Sequence, residues 1–216
     1  MLQCGRKSAL LTAAKKAMRE RMLATRDAMT DAERASQSRA VTSRLAQLDA
    51  LEQARTVAAY VSFRTELDTE QFLATVLHRS KRLLLPRIEP GKRLLRFYHV
   101  TRLEGSLLAG PWGIREPDPA CCAQAEMREI DLMLVPGVAF TRECDRLGYG
   151  GGFYDTVIGA MRDGVPTVAA AFTGQIVDSL PLQAHDRRID MVLTEDAVYR
   201  AGPRPAQGPA VSTDRE

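Results

Sequence analysis

Residues 131–155, DLMLVPGVAFTRECDRLGYGGGFYD, combine an apolar run, a glycine-rich loop and the start of an amphipathic segment. The run LMLV is stopped by a Pro-Gly pair, which predicts a buried strand of about five residues. Four glycines fall within the five positions 148 to 152, and the following FYDTVIGAMRD places one helical face at Tyr154, Val157, Ile158 and Met161. The stretch therefore predicts a strand, a glycine loop and the N-terminus of a helix in succession.

A glycine loop that opens a helix is suited to binding an anion. Backbone N–H groups at the helix N-terminus lack internal partners, the helix dipole favours negative charge, and glycine lets phosphate oxygens approach the backbone closely. Arg146 adds a forked cation, and Asp155 in the first turn is suited to holding a hard metal ion. The stretch is not a Walker loop, because no Gly-Lys-Ser/Thr follows, and it departs from GxGxxG at Phe153. The alternative is a tight strand-to-helix turn without a ligand.

The composition indicates a soluble globular protein of one domain. The chain has 216 residues, of which 45% are hydrophobic and 26% charged, and its formal net charge is +3. This mild charge suits a phosphate-rich small ligand and argues against a nucleic-acid binder, and no apolar run reaches the roughly 18 residues of a membrane span. Four cysteines without C-x-x-C spacing and a weakly apolar N-terminus predict a cytoplasmic protein. The absence of acidic residues before Glu20 leaves a transit peptide open.

The first 55 residues predict two helices that pack on the rest of the chain. Residues 8–29 form the first, with an apolar face of Leu11, Ala14, Met18 and Met22. Lys15 and Arg19 are four residues apart and share a face, which is either a basic surface exposed to solvent or a cation pair turned toward a ligand. Thr30 and Glu33 form a capping box that starts the second helix, which runs to about residue 55.

The remaining chain alternates between short apolar strands and helices. Strands are predicted at 56–62, 82–86, 93–100, 165–172 and 190–194, and a helix begins at Asp68 or Thr69 and ends near Ser80. Short, fully apolar strands are typical of a mostly parallel sheet that is covered on both faces. We therefore predict a single three-layer α/β/α domain over residues 1–200, including the N-terminal helices at 8–55, and a disordered tail over residues 201–216.

Two further residues stand in loops of a kind that bind ligands. Glu66 follows the first strand at its carboxyl end, the edge at which open α/β sheets place ligands, although a lone surface carboxylate is also common. Trp112 is the single Trp of the chain and lies in the loop GPWGIREPDP, residues 110–119. It either closes the edge of the core or offers a stacking wall for a flat ligand.

Taken in order, these segments resemble the 5-formyltetrahydrofolate cyclo-ligase family, also called methenyltetrahydrofolate synthetase. The matching motifs are K-x-x-x-R at 15–19, ELDT at 66–69, LPR at 85–87, W-G-I-x-E-P at 112–117, VPG-x-AF at 135–140, DRLGYGGGFYD at 145–155 and LP-x-x-x-HD at 180–186. Each motif is weak alone, but their order and spacing extend over most of residues 15–195. The family has a fold like that of ribose-phosphate isomerase and the CoA transferases, which agrees with the α/β prediction.

The resemblance implies an enzyme that converts 5-formyltetrahydrofolate to 5,10-methenyltetrahydrofolate while hydrolysing MgATP to ADP and phosphate. Because an amide oxygen is a poor leaving group, the formyl oxygen would first attack the γ-phosphorus, and N10 would then attack the formyl carbon as phosphate departs. The protein's part in such a reaction is mostly positioning and charge stabilisation. The implied ligands are the folate, ATP and Mg²⁺, without nucleic acid or membrane, and the implied state is a monomer.

The resemblance also assigns site residues by position. Lys15 and Arg19 match the helix that contacts ATP, and Arg146 is the implied catalytic cation. The ATP loop comprises Arg146, Leu147, Gly148, Tyr149, Gly150, Gly151, Gly152, Phe153 and Tyr154. The folate site comprises Val61, Glu66, Trp112, Tyr149, Gly150, Gly151, Gly152 and Phe153, and the Glu66 carboxylate can accept two parallel hydrogen bonds from the pterin. The implied magnesium ligands are Asp155 and Asp186.

One departure from the family pattern lies in the loop itself. Some relatives carry RLGRGKGYYD, with an Arg and a Lys where this chain has Tyr149 and Gly151. The cation that stabilises the transferred phosphoryl group is therefore open among Arg146, Lys15 and Arg19. Two other functions are compatible with the sequence, namely a non-catalytic folate- or nucleotide-binding module and a sugar-phosphate isomerase or transferase of the same fold.

Overall fold

The computed structural model describes residues 2–183 and 186–202, with side chains from residue 9 onward. Its helices are α1 (Leu2–Asp27), α2 (Asp31–Ala46), α3 (Asp49–Gln53), α4 (Glu70–His78) and α5 (Phe153–Ala160). Its strands are β1 (Thr56–Ala58), β2 (Arg82–Ile88), β3 (Leu95–Val100), β4 (Leu107–Ala109), β5 (Arg115–Pro117), β6 (Ala123–Ala125), β7 (Leu132–Leu134), β8 (Ala139–Phe140), β9 (Arg146–Leu147), β10 (Thr167–Ala170), β11 (Met191–Leu193) and β12 (Val198–Arg200). No helix within the described ranges is long and apolar enough to span a membrane. His185 and the predicted tail from residue 203 onward lie outside the described residues.

One sheet has the strand order β12-β11-β10-β7-β1-β2-β3-β6. The central strands β11, β10, β7, β1 and β2 run parallel to one another. At one edge β12 pairs antiparallel with β11; at the other, β3 pairs antiparallel with β2 and β6 pairs antiparallel with β3. In this register Val57 of β1 lies beside Leu83 of β2 on one side and Leu132 of β7 on the other. The prediction of an α/β fold with a mostly parallel sheet is confirmed.

The sheet is covered on both faces because successive strand residues point to opposite sides. Val57 and Leu83 belong to a core that they share with α2, α3 and α4. Their neighbours Ala58 and Leu84 belong to a second core, where they lie under Val157 of α5. The architecture is therefore three-layered, as strands without a polar face predict.

The helix α1 packs against the short hairpin formed by β8 and β9. Met22 is buried there with Leu147 of β9 in a small third core. Two charged residues of the same helix are also buried: Lys15, seven residues before Met22, and Arg26, four residues after it. Ala14 is predicted to face inward but is exposed. The docking face of α1 is therefore more polar than the apolar face that the sequence predicts.

The segment that follows α1 contains a confirmed cap and an unexpected break. Thr30 Oγ1 accepts from the Glu33 N–H at 3.2 Å, and Glu33 Oε2 accepts from the Thr30 N–H at 2.9 Å, so the capping box is present. The helix that it starts ends at Ala46 instead of near residue 55, because Leu48 is extended, with φ −69° and ψ 132°, and packs against the core. Farther on, β12 is absent from the sequence prediction because its residues are only partly buried and carry no full apolar pattern.

Candidate active site

The glycine loop connects β9 to α5. Strands β8 and β9 pair with Phe140 opposite Arg146, and α5 begins at Phe153, directly after Gly152. Gly150 and Gly152 have φ values of 102° and 72°, which residues with side chains rarely adopt, so both positions favour glycine strongly. The strand, loop and helix predicted from residues 131–155 are thus present in order, with the β8–β9 hairpin inserted between the strand and the loop.

Arg146 is buried beside this loop. Its Nη1 donates to the Pro136 carbonyl at 3.1 Å and its Nη2 to Asp155 Oδ1 at 2.8 Å, whereas Nε is buried without a hydrogen-bond partner in the part of the chain that the structure describes. A Cβ at Gly148 would lie 2.8 Å from Nη1, and one at Gly137 would lie 3.2 Å from the Arg146 Cγ. Gly148 therefore makes room for a buried guanidinium, whereas Gly137 mainly makes room for the Phe140 ring, with which such a Cβ would clash.

Arg19 of α1 contacts the glycine loop directly. Its Nε donates to the Gly148 carbonyl at 2.7 Å, and a Cβ built on Gly150 would lie 3.3 Å from its Cζ. Burial lowers the pKa of Arg19, and the negative charges of Asp186 and Asp155 oppose that shift. The guanidinium therefore lies within electrostatic range of both predicted metal ligands.

Lys15, one turn earlier on α1, is bound by Asp186. The Lys15 Nζ lies 2.7 Å and 2.6 Å from the two carboxylate oxygens and 2.9 Å from Gln183 Oε1. Its side chain is only 7% exposed, so Lys15 does not belong to a solvated basic face. Gln183 is a site residue that the sequence did not reveal, since it occupies an unspecified position of LP-x-x-x-HD.

Asp155 and Asp186 are the two carboxylates that could hold a magnesium ion. Asp155 accepts from Arg146 and from the Arg187 N–H at 3.2 Å, and Asp186 accepts from Lys15. No cluster of three or more His, Cys, Asp or Glu suited to a metal occurs among the described residues. Mg²⁺ is commonly bound by one or two carboxylates while phosphates and waters complete its octahedron, and the Asp155 and Asp186 side chains remain 20% and 14% exposed. Binding of a magnesium ion by this pair, with a bound phosphate completing its coordination, stays a prediction.

Glu66, in the loop after β1, faces Tyr149 of the glycine loop. Its Oε1 accepts a hydrogen bond from the Tyr149 hydroxyl, and its Oε2 accepts from the Phe63 N–H at 2.9 Å. Burial raises the pKa of Glu66, while the hydrogen bonds from Tyr149 and Phe63 and the charge of Arg26 oppose the rise. The fold thus brings this carboxylate to the glycine loop, although the two are distant in sequence.

Arg26 is the principal charged residue of this region that the sequence pattern did not assign. Its buried side chain donates from Nη1 to the Tyr149 hydroxyl at 2.8 Å and from Nε to Thr65 Oγ1 at 3.2 Å. The Arg26 Cζ also lies 5.8 Å from the centre of the Tyr149 ring. The available sequence signal is position, since Arg26 follows Arg19 by seven residues and two helical turns return it to the same face.

Two predicted folate contacts differ in exposure. Val61 is buried in the core shared by β1 and its neighbours. Trp112 is 68% exposed and has a left-handed φ of 58°, so it does not close the edge of the core. A Cβ built on the adjacent Gly113 would lie 3.7 Å from the Phe63 ring, so the turn that carries Trp112 borders the Glu66 loop.

The remaining loop residues pack around the glycines. Leu147 is buried in the third core beside α1, and a Cβ at Gly151 would lie 2.7 Å from the Phe153 ring. Burial and the charge of Glu66 raise the pKa of the Tyr154 phenol, while the charge of Arg146 opposes the rise. Direct contact of these residues with a ligand stays a prediction.

Replacing Asp155 with Asn tests the buried ion pair. The Arg146 side chain is 2% exposed, and loss of its carboxylate partner should lower the free energy of unfolding by about 3 kcal/mol. Urea denaturation of the ligand-free protein measures this change. Asp178→Asn is the matched control, because it breaks a surface pair with Arg142 in which the side chains are 94% and 61% exposed, and it should change stability little. Equal effects of the two substitutions would contradict a special role for the Arg146–Asp155 pair.

Comparison with known proteins identifies the family of this chain. The model of the 5-formyltetrahydrofolate cyclo-ligase family matches residues 11–195. A 5-formyltetrahydrofolate cyclo-ligase of Mycolicibacterium smegmatis is 31% identical over 182 residues, which cover 83% of this chain and 93% of that protein. A mitochondrial 5-formyltetrahydrofolate cyclo-ligase of Arabidopsis thaliana is 29% identical over 215 residues, which cover 88% of this chain and 77% of that protein. The NMR structure of Aquifex aeolicus 5,10-methenyltetrahydrofolate synthetase matches with a TM-score of 0.77 and 30% identity, covering 92% of this chain and 98% of that one. The chain belongs to the 5-formyltetrahydrofolate cyclo-ligase family and is an enzyme of that family.

Proposed function

We propose that this protein cyclises 5-formyltetrahydrofolate to 5,10-methenyltetrahydrofolate and hydrolyses ATP to ADP and phosphate in doing so. The relatives from Mycolicibacterium smegmatis and Aquifex aeolicus carry names that state the substrate and the product. The observation that carries the proposal is the convergence of two unlike surfaces on one loop. Arg19 of α1 contacts the glycine loop at Gly148, Lys15 one turn earlier binds Asp186, and Glu66 meets the glycine loop at Tyr149.

The cationic side of the loop is suited to a triphosphate. Lys15 and Arg19 lie on one face of α1, and the loop supplies backbone N–H groups and a helix N-terminus. Each terminal nitrogen of Arg146 donates one hydrogen bond to a protein oxygen and the side chain is only 2% exposed, so we assign Arg146 to holding the loop near a positive charge. Arg19, beside Gly150, is therefore the best candidate for the cation that stabilises the transferred phosphoryl group.

The Glu66 side of the loop is suited to the pterin ring. A carboxylate accepts up to about four hydrogen bonds, and one lone pair of each Glu66 oxygen remains beyond those used by Tyr149 and Phe63. The exposed ring of Trp112, in the adjacent turn, offers an aromatic face to a flat ligand. This arrangement supports folate binding between the glycine loop and the Glu66 loop.

The proposed reaction has two steps. The formyl oxygen attacks the γ-phosphorus, the bond from that phosphorus to the β–γ bridging oxygen breaks, and ADP leaves. N10 then attacks the activated formyl carbon and loses its proton, the carbon–oxygen bond breaks, and inorganic phosphate departs to leave the methenyl bridge. Lys15 and Arg19 would orient the phosphates and neutralise their charge, which is the main contribution a protein makes to phosphoryl transfer. A magnesium ion held by Asp155 and Asp186 would supply further neutralisation of the phosphates.

Location and assembly are also proposals. We infer a cytoplasmic monomer that binds a small-molecule substrate and neither nucleic acid nor membrane; the mild net charge of +3 argues against nucleic-acid binding. The Arabidopsis thaliana relative is named as mitochondrial.

Formation of the methenyl chromophore tests the proposed function. Purified protein mixed with MgATP and 5-formyltetrahydrofolate should develop the near-ultraviolet absorbance of the product, with one ADP released per turnover. Omission of ATP or replacement by a non-hydrolysable analogue should abolish the signal, and chelation of magnesium should reduce it strongly. Folate binding without absorbance change or ADP would indicate a non-catalytic binding module. Turnover of a sugar phosphate without ATP would indicate the isomerase or transferase alternative.

Replacing Glu66 with Gln tests the folate side. The amide keeps the size of the side chain but turns one acceptor into a donor that would face the N–H donors of the pterin. The KM for 5-formyltetrahydrofolate should therefore rise about tenfold or more, while the KM for ATP should change little. Steady-state kinetics with each substrate varied in turn measures both values. Glu70→Gln is the control, since Glu70 is exposed and pairs only loosely with Arg115 at 3.5 Å. Equal increases in both KM values for Glu66→Gln would place the carboxylate away from the pterin.

Replacing Arg19 with Ala tests the phosphate side. Loss of one charge-assisted contact should weaken ATP binding by about 1.5–3 kcal/mol, which titration calorimetry can measure. Arg21→Ala, an exposed arginine on the same helix, should leave ATP affinity unchanged. Unchanged affinity in Arg19→Ala would mean that this guanidinium serves only to hold α1 on the Gly148 carbonyl.

A further inference from the structure

Arg26 reaches the Glu66 side of the site from α1, although no motif of the sequence includes it. Its side chain is buried, and it donates to the Tyr149 hydroxyl and to Thr65, the residue before Glu66. Thr65 in turn donates to Asp27, the last residue of α1. A buried guanidinium that joins both loops of the site has a cost in desolvation that a surface arginine would avoid, so its position invites a functional explanation.

The contact with Arg26 determines which way the Tyr149 hydroxyl points. A guanidinium has only donors, so the Tyr149 oxygen must accept from Arg26 at 2.8 Å. The hydroxyl has a single proton, and that proton is therefore directed to Glu66 Oε1. Arg26 thereby reinforces the direction in which the Tyr149 hydroxyl donates to the Glu66 carboxylate, since it occupies a lone pair of the hydroxyl oxygen.

The Tyr149 hydrogen bond in turn helps to fix the plane of the Glu66 carboxylate. Tyr149 holds Oε1, and the Phe63 N–H holds Oε2 at 2.9 Å. Each oxygen has a further lone pair, so the carboxylate retains two parallel acceptor sites for a ligand with two adjacent donors. A carboxylate that is held by only one of its oxygens could rotate and lose this alignment.

Arg26 also favours the ionised form of Glu66. Burial raises the pKa of this carboxyl, and the Tyr149 hydrogen bond and the Arg26 charge lower it again. The tyrosines that face the group, Tyr60, Tyr149 and Tyr154, all have raised pKa values, so none of them carries charge near neutral pH. A protonated Glu66 would present a donor to the donors of the ligand.

We propose that Arg26 is a positioning residue for the folate, which acts through Tyr149 to hold the Glu66 carboxylate in the orientation that accepts two hydrogen bonds from the pterin. This inference rests on the proposed function and adds to it a residue outside the family motifs that we compared. The competing explanation is that Arg26 merely ties α1 to the loop at Thr65. Loss of a purely structural tie would weaken the binding of folate and of ATP alike. Kinetics with each substrate can therefore separate the two explanations.

A double-mutant cycle of Arg26→Gln and Tyr149→Phe tests the proposal. Each single substitution should raise the KM for 5-formyltetrahydrofolate by about tenfold and leave the KM for ATP within about twofold. The KM of the double variant for 5-formyltetrahydrofolate should not exceed the higher of the two single-variant values, because Arg26 acts through Tyr149. Arg21→Gln, an exposed arginine of the same helix, is the matched control and should have wild-type kinetics. Additive effects, or parallel losses for both substrates, would overturn the proposal.

The pH dependence of folate binding gives a readout that a structural tie would not move. Removal of the Arg26 charge should raise the pKa of Glu66. As the pH is lowered, the KM for the folate should therefore begin to rise at a higher pH in Arg26→Gln than in the wild type. An unshifted profile in a folded Arg26→Gln would contradict the proposal. If Arg26→Gln does not fold, Tyr149→Phe decides, and an unchanged folate KM in that variant overturns it. If the wild type forms methenyl product and both variants have the wild-type KM for the folate, this inference alone is refuted. If the wild type forms no product, the proposed function is refuted and the inference with it.

Discussion

The ion pair between Arg146 and Asp155 is the constraint on which the glycine loop depends. It joins β9 to the first turn of α5, the two elements that the loop connects. Removing both charges from water is costly, and good geometry with additional hydrogen bonds must offset that cost, as the Pro136 carbonyl and the Arg187 N–H do here. The close approach also requires that Gly148 carry no side chain, since a Cβ there would lie 2.8 Å from Arg146 Nη1. The position of the α5 N-terminus therefore follows from a buried charge pair as much as from backbone conformation.

The same pattern extends to the docking of α1. Among its described side chains, the buried ones are Lys15, Met22 and Arg26, so only one is apolar. Lys15 is bound to Asp186 and Arg26 to Tyr149 and Thr65. Burial of Met22 contributes roughly 1.5–3 kcal/mol, and Met18 and Leu23 of α1 pack partly buried against the same small core. The helix is therefore attached both through this core and through charged groups whose partners belong to the candidate site.

Features that depend on neighbouring residues could be predicted from the sequence. The capping box at Thr30, the apolar strand at residues 132–134 and the order of strand, loop and helix around the glycines all follow from local patterns, and the structure contains them. The parallel sheet followed from strands that lack a polar face. The helix break at Leu48 could not be predicted from local sequence, because it results from packing against a core that only tertiary structure creates.

The site shows the same division. The motifs indicate Lys15, Arg19 and Glu66 as site residues. The structure places Arg19 and Glu66 at the glycine loop and Lys15 against Asp186. Neither Arg26 nor Gln183 occupies a specified motif position, and the spacing of Arg26 from Arg19 is the one sequence signal that either residue carries. The glycines were assigned to phosphate approach, yet Gly148 makes room for the Arg146 guanidinium, a contact between residues that look unrelated until the loop is folded. Residue type alone does not show whether a glycine faces a ligand or a buried side chain.

This use of charged groups has a consequence for how the protein responds to its ligands. Lys15 and Arg19 attach α1 to Asp186 and to the Gly148 carbonyl, and they are also the groups proposed to bind phosphate. A bound triphosphate would compete with those protein oxygens for the same donors, while a magnesium ion would compete with Lys15 for Asp186. Binding free energy and the docking free energy of α1 are then linked, since any ligand that favours one arrangement of these charges shifts the population of the other. In this view the polar face of α1 is not a weakness of the fold, because a helix held by an apolar stripe would be insensitive to what occupies the site.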